Sequence, residues 1–256
     1  MPTPSDDLAL ALGLADTADA MTLASFFRDD LRVETKPDLT PVTEADRGVE
    51  RMIRDALAQQ RPDDAILGEE YGGDAASGRR WILDPIDGTK NYVRRVPVWA
   101  TLIALADDEG IAVGVVSAPA LGRRWWAARG QGAWTTGPES PQPRRIHVSS
   151  VGSLADASFS YSDPDEWDRR AFDALLERSW RTRGYGDFWS HMLVAEGAVD
   201  VAAEVGLGLW DVAALVPIVV EAGGRYDDVD TGAPGGPVAL STNGLLHDEV
   251  IAVLRG

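Results

Sequence analysis

The chain has 256 residues, 45% of them hydrophobic, enough to bury one substantial core as a single domain or as two closely packed lobes. Forty-one acidic residues against 24 basic ones give a formal charge of -17, which opposes approach to nucleic acid or an anionic bilayer. The absence of cysteine excludes disulfides, thiolate zinc sites, iron–sulfur clusters and cysteine nucleophiles; His147, His191 and His247 stand far apart and form no ligand pair, so oxygen atoms are the principal metal ligands on offer.

The N-terminal "MPTPSDDLALALGLAD" lacks a basic segment and is interrupted by Asp16, so it reads as neither signal peptide nor membrane span, with a cytoplasmic location as the default expectation. Leu8, Leu12, Ala15 and Leu23 recur at helical spacing and predict a helix over 6–27, with Ser5 as its N-cap. A short strand "LRVET" and a loop "KPDLTP" follow. Thr43 then caps a helix to about residue 60 that places Val49, Ile53 and Leu57 on one face. "DDAILGEE" and "RRWILDP" read as strands, and "VWATLIALA", "IAVGVVSAP" and "RRWWAARGQGAW" as an antiparallel meander. The Pro-, Gly- and Ser-rich "TTGPESPQPRR" reads as a lobe junction or exposed loop, dividing a single domain, 1–256, into lobes of roughly 1–143 and 144–256. Beyond it, strands "ASFSYS", "RTRGYG" and "VDVAAEV" alternate with helices over 166–180, 187–197 and 212–222, the last expected to kink at Pro217.

Four acidic residues stand where predicted elements end: Glu69 after "AILG", Asp84 and Asp87 after "WIL", and Asp211 after "LGLW". A carboxylate at the end of a buried strand loses solvation unless something positive binds it, and a hard divalent cation resolves that conflict. In Asp-Pro-Ile-Asp the proline lets the turn expose the Ile86 carbonyl while both aspartates face one side, and the Gly88 and Thr89 N–H groups stand ready for a phosphate. Taken singly, each has another use: Asp84 and Asp87 as turn formers, Asp211 as an N-cap, Asp46 as the partner of Thr43 in a capping box, Glu69 and Glu70 as solvated charge. "DDVDTGAPGG" lacks the ligand spacing of a calcium loop and reads as a turn.

The stretches "LTPVTEAD", "GEE", "WILDPIDGTKNYV" and "WDVAALVPIVVEAGG", in that order, resemble the inositol monophosphatase family of magnesium-dependent phosphomonoesterases, and the likeness runs essentially end to end. The resemblance implies a layered αβαβα sandwich of the inositol monophosphatase and fructose bisphosphatase type, with two or three Mg2+ ions per active site. Glu69, Asp84, Asp87, Asp211 and the Ile86 carbonyl would be metal ligands. Asp46 and Thr89, with Glu69, would activate the attacking water, and Gly88 and Thr89 would hold the phosphate. It further implies a homodimer, for which "RRWWAAR" is a candidate interface strand, although tryptophans in such a strand more often belong to a core.

Where the family usually places Gly-Ser/Thr and small residues against the organic part of the substrate, this chain reads "RTRGYGDFWSH". Together with "STNGLLHDEV" and "VSAPALGRRWWAARGQGAW", this resembles the histidinol-phosphate phosphatase branch found in actinobacteria. The implied substrate is L-histidinol phosphate, with Asp187 and Glu204 binding the cationic amino alcohol and Arg183 steadying them or the phosphate. The alternatives left open are an inositol-1-phosphatase or a broad sugar phosphatase, and a non-catalytic, metal-bound sensor of phosphorylated metabolites. Asp187 would then be an N-cap, and Glu204 and Arg183 an ordinary salt bridge.

Overall fold

A computed structural model describes residues 3–28, 30, 32–35, 41–73, 78–165, 167–232 and 235–256. Residues 36–40 of the loop expected over 36–41, the first residue of the helix expected over 166–180, and 233–234 of the predicted turn lie outside the described residues. Helix α1 (Pro4–Phe26) is capped by Thr3 rather than Ser5: Asp6 N donates to the Thr3 hydroxyl, Asp6 reaches back to Thr3 N, and Pro4 takes the first helical position, where no N–H is required. The antiparallel pair β1 (Val33–Thr35) and β2 (Pro41–Thr43) leads into α2 (Glu44–Gln60), capped by Thr43 as its sequence predicts.

The first sheet holds β3 (Ala65–Gly68), β4 (Arg80–Asp87), β5 (Ala100–Asp107), β6 (Gly110–Ala118), β7 (Arg123–Ala128), β8 (Ala133–Gly137) and β9 (Ser140–Arg145), in that spatial order. The pair β3–β4 is parallel and the rest is the expected antiparallel meander. "TTGPESPQPRR" is thus the β8–β9 hairpin, not a junction or loop. Its prolines, Pro141 and Pro143, are tolerated because β9 is an edge strand. A short helix, α3 (Thr89–Val93), separates β4 from β5, and β7, the "RRWWAAR" strand, is paired on both sides by β6 and β8 with Trp125 fully buried.

The second half supplies β10 (Ser158–Ser160), α4 (Arg169–Arg178), β11 (Arg181–Arg183), α5 (Asp187–Ala195), β12 (Val201–Val205), α6 (Leu209–Val212), α7 (Leu215–Glu221), β13 (Arg225–Val229), β14 (Val238–Thr242) and α8 (His247–Arg255). Its five strands run in the order β11-β10-β12-β14-β13. The helix expected over 212–222 is two helices, and Pro217 falls in the first turn of α7, where a missing N–H leaves no bond unmade.

Both faces of the first sheet are covered, which is why its strands read as unbroken apolar runs. Trp81, Leu83, Ile103, Leu105, Val113 and Val115 pack under Ala11, Leu14, Ala15 and Ala18 of α1 and Val49, Ile53 and Leu57 of α2. The opposite face, with Ile82, Leu102, Val116 and Trp125, packs on Phe188 and Met192 of α5 and on Leu215 and Ile218 of α7. Helix α5 reaches β12 and α7 reaches β13, while α4 and α8 cover the far side of the second sheet. The result is the αβαβα sandwich. Helix α1 is long and apolar enough to cross a membrane by length and composition, yet here it lies on the first sheet, with Asp7 buried in ion pairs to Arg61 and Arg79.

Candidate active site

Asp84 and Asp87 are not past a strand's end but within the last turn of β4, where the β4–β5 register shifts between them. Pro85 and Ile86 make the shift possible: Pro85 has no N–H to lose, and the Ile86 amide leaves the ladder to donate to Asp84 Oδ1 at 2.9 Å. The Ile86 side chain is wedged among Phe26, Tyr92 and Trp99, while its carbonyl faces the site and accepts from the Thr89 hydroxyl at 2.9 Å. Gly88 adopts a left-handed φ of 80° to turn the chain into α3, a conformation favouring glycine.

Helix α2 brings Asp46 to this turn. One carboxylate oxygen closes the capping box with Thr43, while the other lies 3.4 Å from the Thr89 hydroxyl. Asp46 therefore fills both the capping role and the pairing with Thr89 that its sequence offered. Burial first, then the charge of Glu69, pushes its carboxyl up to about 6, against hydrogen bonds from Thr43 that hold it down.

A cavity of about 490 Å3 opens over these groups, lined among others by Glu69, Asp87, Thr89, Asp187 and Asp211. Asp211 comes from the first turn of α6, where Gly208 N donates to its Oδ2 at 2.6 Å; the N-cap is Gly208, and Asp211, three residues on, reaches back to it rather than being the N-cap its sequence allowed. Ligand atoms of Asp84, Asp87 and Asp211 lie within 4.8 Å of one another. Asp84 is raised well above the ordinary carboxylate range by burial, then by Glu69, Asp87 and Asp211. Burial likewise raises Asp87 and lifts Asp211 to about 6. Glu69 lines the same cavity at the end of β3.

This donor set fits a hard divalent cation. It consists of buried oxygens whose mutual repulsion and desolvation a bound positive charge would relieve, and it includes no softer ligand. Glu69, Asp84, Asp87, Asp211 and the Ile86 carbonyl are the groups that would hold it.

Asp187 opens α5 with φ of 50°, in the left-handed region; the N-cap is Gly186. Its Oδ2 accepts from Asn91 Nδ2 at 3.0 Å and its Oδ1 from Ser162 Oγ at 3.3 Å. Burial raises its carboxyl. Glu204, the penultimate residue of β12, is buried behind the cavity wall next to His191, and Arg183 is exposed on the edge strand β11, donating to its neighbour's carbonyl, Thr182 O. Neither lines the cavity, and the two form no salt bridge with each other among the described residues. Asn91, Ser162 and Lys90 line it without having been singled out in the sequence. Asn91 lies inside "DGTKNYV", so its nearness to the phosphate turn was legible; Ser162 carried no signal. Among the described lining residues Lys90 is the one cation, 3.7 Å from Asp163 across the mouth.

The model of the inositol monophosphatase family matches residues 4–255. A protein named histidinol-phosphatase from Mycobacterium tuberculosis is 56% identical over 98% of both chains, and one of the same name from Streptomyces coelicolor is 53% identical over 100% of this chain and 99% of its own. The solved structure of an IMPase from Thermotoga maritima superposes with a TM-score of 0.85 at 32% identity, covering 98% of this chain and 97% of that one. Signature stretches, layered fold and converging carboxylates agree with these likenesses: the chain belongs to the inositol monophosphatase family.

Proposed function

We propose that the chain is a phosphomonoesterase that hydrolyses L-histidinol phosphate to L-histidinol and inorganic phosphate. The observation that carries this reading is Asp187: a carboxylate, where the family usually has a small neutral residue, fixed by Asn91 and Ser162 in the wall of the cavity that holds the acidic cluster. An ammonium group beside it would gain a charge-assisted hydrogen bond and restore the solvation Asp187 has lost. The histidinol-phosphatase names of the two curated relatives support the same substrate.

Two or three Mg2+ ions, held by Glu69, Asp84, Asp87, Asp211 and Ile86 O, would supply Lewis acidity toward the phosphoryl group and acidify water. The chain's own groups do the rest. Gly88 and Thr89, at the start of α3, hold the phosphate. Thr89 Oγ orients the attacking water and passes its proton toward Asp46, whose Oδ1 faces that hydroxyl; Glu69 shares in this activation. Water attacks phosphorus as its proton passes to Asp46, the P–O bond to the alcohol breaks, and the leaving alkoxide takes a proton from solvent water, to which Asp46 returns the one it accepted. Glu204 and Arg183, outside the cavity lining, take no part in the step. The reading takes the chain as a cytoplasmic homodimer of two-lobed subunits, acting on a small phosphate ester without a nucleic-acid or membrane partner.

The test is a substrate comparison. With magnesium, the purified protein should release phosphate from L-histidinol phosphate much faster than from inositol 1-phosphate. Equal rates would remove the substrate assignment, and no turnover of any phosphomonoester would favour a sensor.

A further inference from the structure

Glu50 is a fully buried carboxylate on α2, one turn beyond Asp46, and the reaction described above does not use it. Its Oε2 accepts the amide of Glu70 at 2.8 Å and its Oε1 that of Tyr71 at 3.3 Å. Arg54, a further turn along the same helix face, donates Nε to Glu50 Oε1 at 2.7 Å and an Nη2 N–H to the carbonyl of Gly72. The turn they grip is closed on itself by reciprocal bonds between Gly68 and Gly72, each 3.0 Å. Residue 68 is glycine for a spatial reason, since a Cβ there would stand 2.0 Å from Glu50 Oε1.

The consequence falls on Glu69. Its own amide donates to Leu83 O on β4 at 3.1 Å, and the next amide is held by Glu50. Its Cα is thus tied on one side to the strand that carries Asp84 and on the other to the helix that carries Asp46. A solvated surface turn needs no such anchor, and a buried carboxylate is costly unless donors surround it. Here two amides and a guanidinium do so, all directed at one short segment. Groups that orient a ligand without touching the ion set affinity through the geometry they impose.

We propose that Glu50 is a positioning residue for metal binding: by holding the 69–71 turn, it sets where the Glu69 carboxylate stands relative to Asp84, Asp87 and Asp211. The inference rests on the reading of Glu69 as a metal ligand. Isothermal titration calorimetry with Mn2+ on the full chain, with folding checked by circular dichroism, compares wild type, Glu69→Gln and Glu50→Gln. Both variants should bind Mn2+ about tenfold or more weakly. Glu50→Gln should also need more magnesium for half-maximal turnover while keeping most of its kcat at saturation, a split that loss of stability alone would not produce. A folded Glu50→Gln protein with wild-type Mn2+ affinity overturns the proposal while leaving the metal reading intact. Wild-type affinity in Glu69→Gln, or no Mn2+ binding by wild type, overturns both. If Glu50→Gln does not fold, Gly68→Ala decides, because its Cβ would displace the Glu50 carboxylate without removing its charge; unchanged affinity there also overturns the proposal.

Discussion

Nε2 of His191 lies 3.6 Å from Oε1 of Glu204, with both side chains closed off from solvent. That distance is too long for a hydrogen bond, and neither atom has another partner among the described residues. Burial disfavours both charges. It lowers the imidazole to about 4 and raises the carboxyl well above its usual range, with Asp187, Asp87 and Asp211 raising the latter further. His191 is therefore neutral at physiological pH, with its Nδ1 bonded to Ser241 Oγ at 2.7 Å.

This pair predicts an acid weakness. The unfolded chain protonates His191 near 6.5 and the folded chain only near 4, so between those values the unfolded state binds more protons and stability falls as pH drops, by at most about 3 kcal/mol. Glu204 acts in the opposite sense: the folded state keeps a proton that the unfolded state releases above 4.5, so its contribution is largest in acid and fades as pH rises. Urea midpoints separate the two. From pH 6.5 down to 4, wild type should lose stability relative to His191→Gln; a constant difference between the curves would contradict the buried neutral imidazole.

Asp84→Asn should reduce turnover by about a thousandfold, the equivalent of several kcal/mol of transition-state stabilisation. The same change should raise the melting temperature in EDTA, by about 2 °C or more, because it removes a carboxylate that burial and four acidic neighbours disfavour while keeping an oxygen for the Ile86 amide. Added magnesium should stabilise wild type more than the variant. Calorimetric scans with and without magnesium check both directions.

Thr89→Val removes the hydroxyl that stands between Ile86 O and Asp46 while keeping the branched shape. Its kcat should fall by about a hundredfold or more, with Thr89→Ser retaining most activity. Steady-state kinetics at saturating magnesium decide this; a Thr89→Val enzyme with near-normal kcat would exclude the hydroxyl from the proton path.

Asp187→Asn keeps a residue that tolerates the left-handed backbone and preserves the shape bonded to Asn91 and Ser162, but deletes the charge. KM for L-histidinol phosphate should rise about 10- to 100-fold, the worth of one charge-assisted hydrogen bond, with inositol 1-phosphate turnover little changed. If both substrates responded alike, the ammonium contact would be wrong.

Much of this site was legible because its chemistry is local. Thr43–Asp46 and Asp84–Asp87 set their own backbone geometry within four residues, and the apolar runs flanking them identify buried strands. What escaped depends on contacts distant in sequence. Ser162 meets Asp187 only because β10 and the start of α5 are neighbours, and Glu204 sits behind the wall because β12 is central in its sheet. Edge position made a strand of "ESPQPRR" despite its loop-like composition, and the first-turn placement of Pro217 made a helix start where a kink was expected.

The acidic cluster draws on both halves of the chain, with Asp211 arriving from α6 between the two sheets. During synthesis the earlier carboxylates therefore emerge without their last partner, and no complete cation cradle exists until the later helices dock. Phosphatase activity would then report finished assembly.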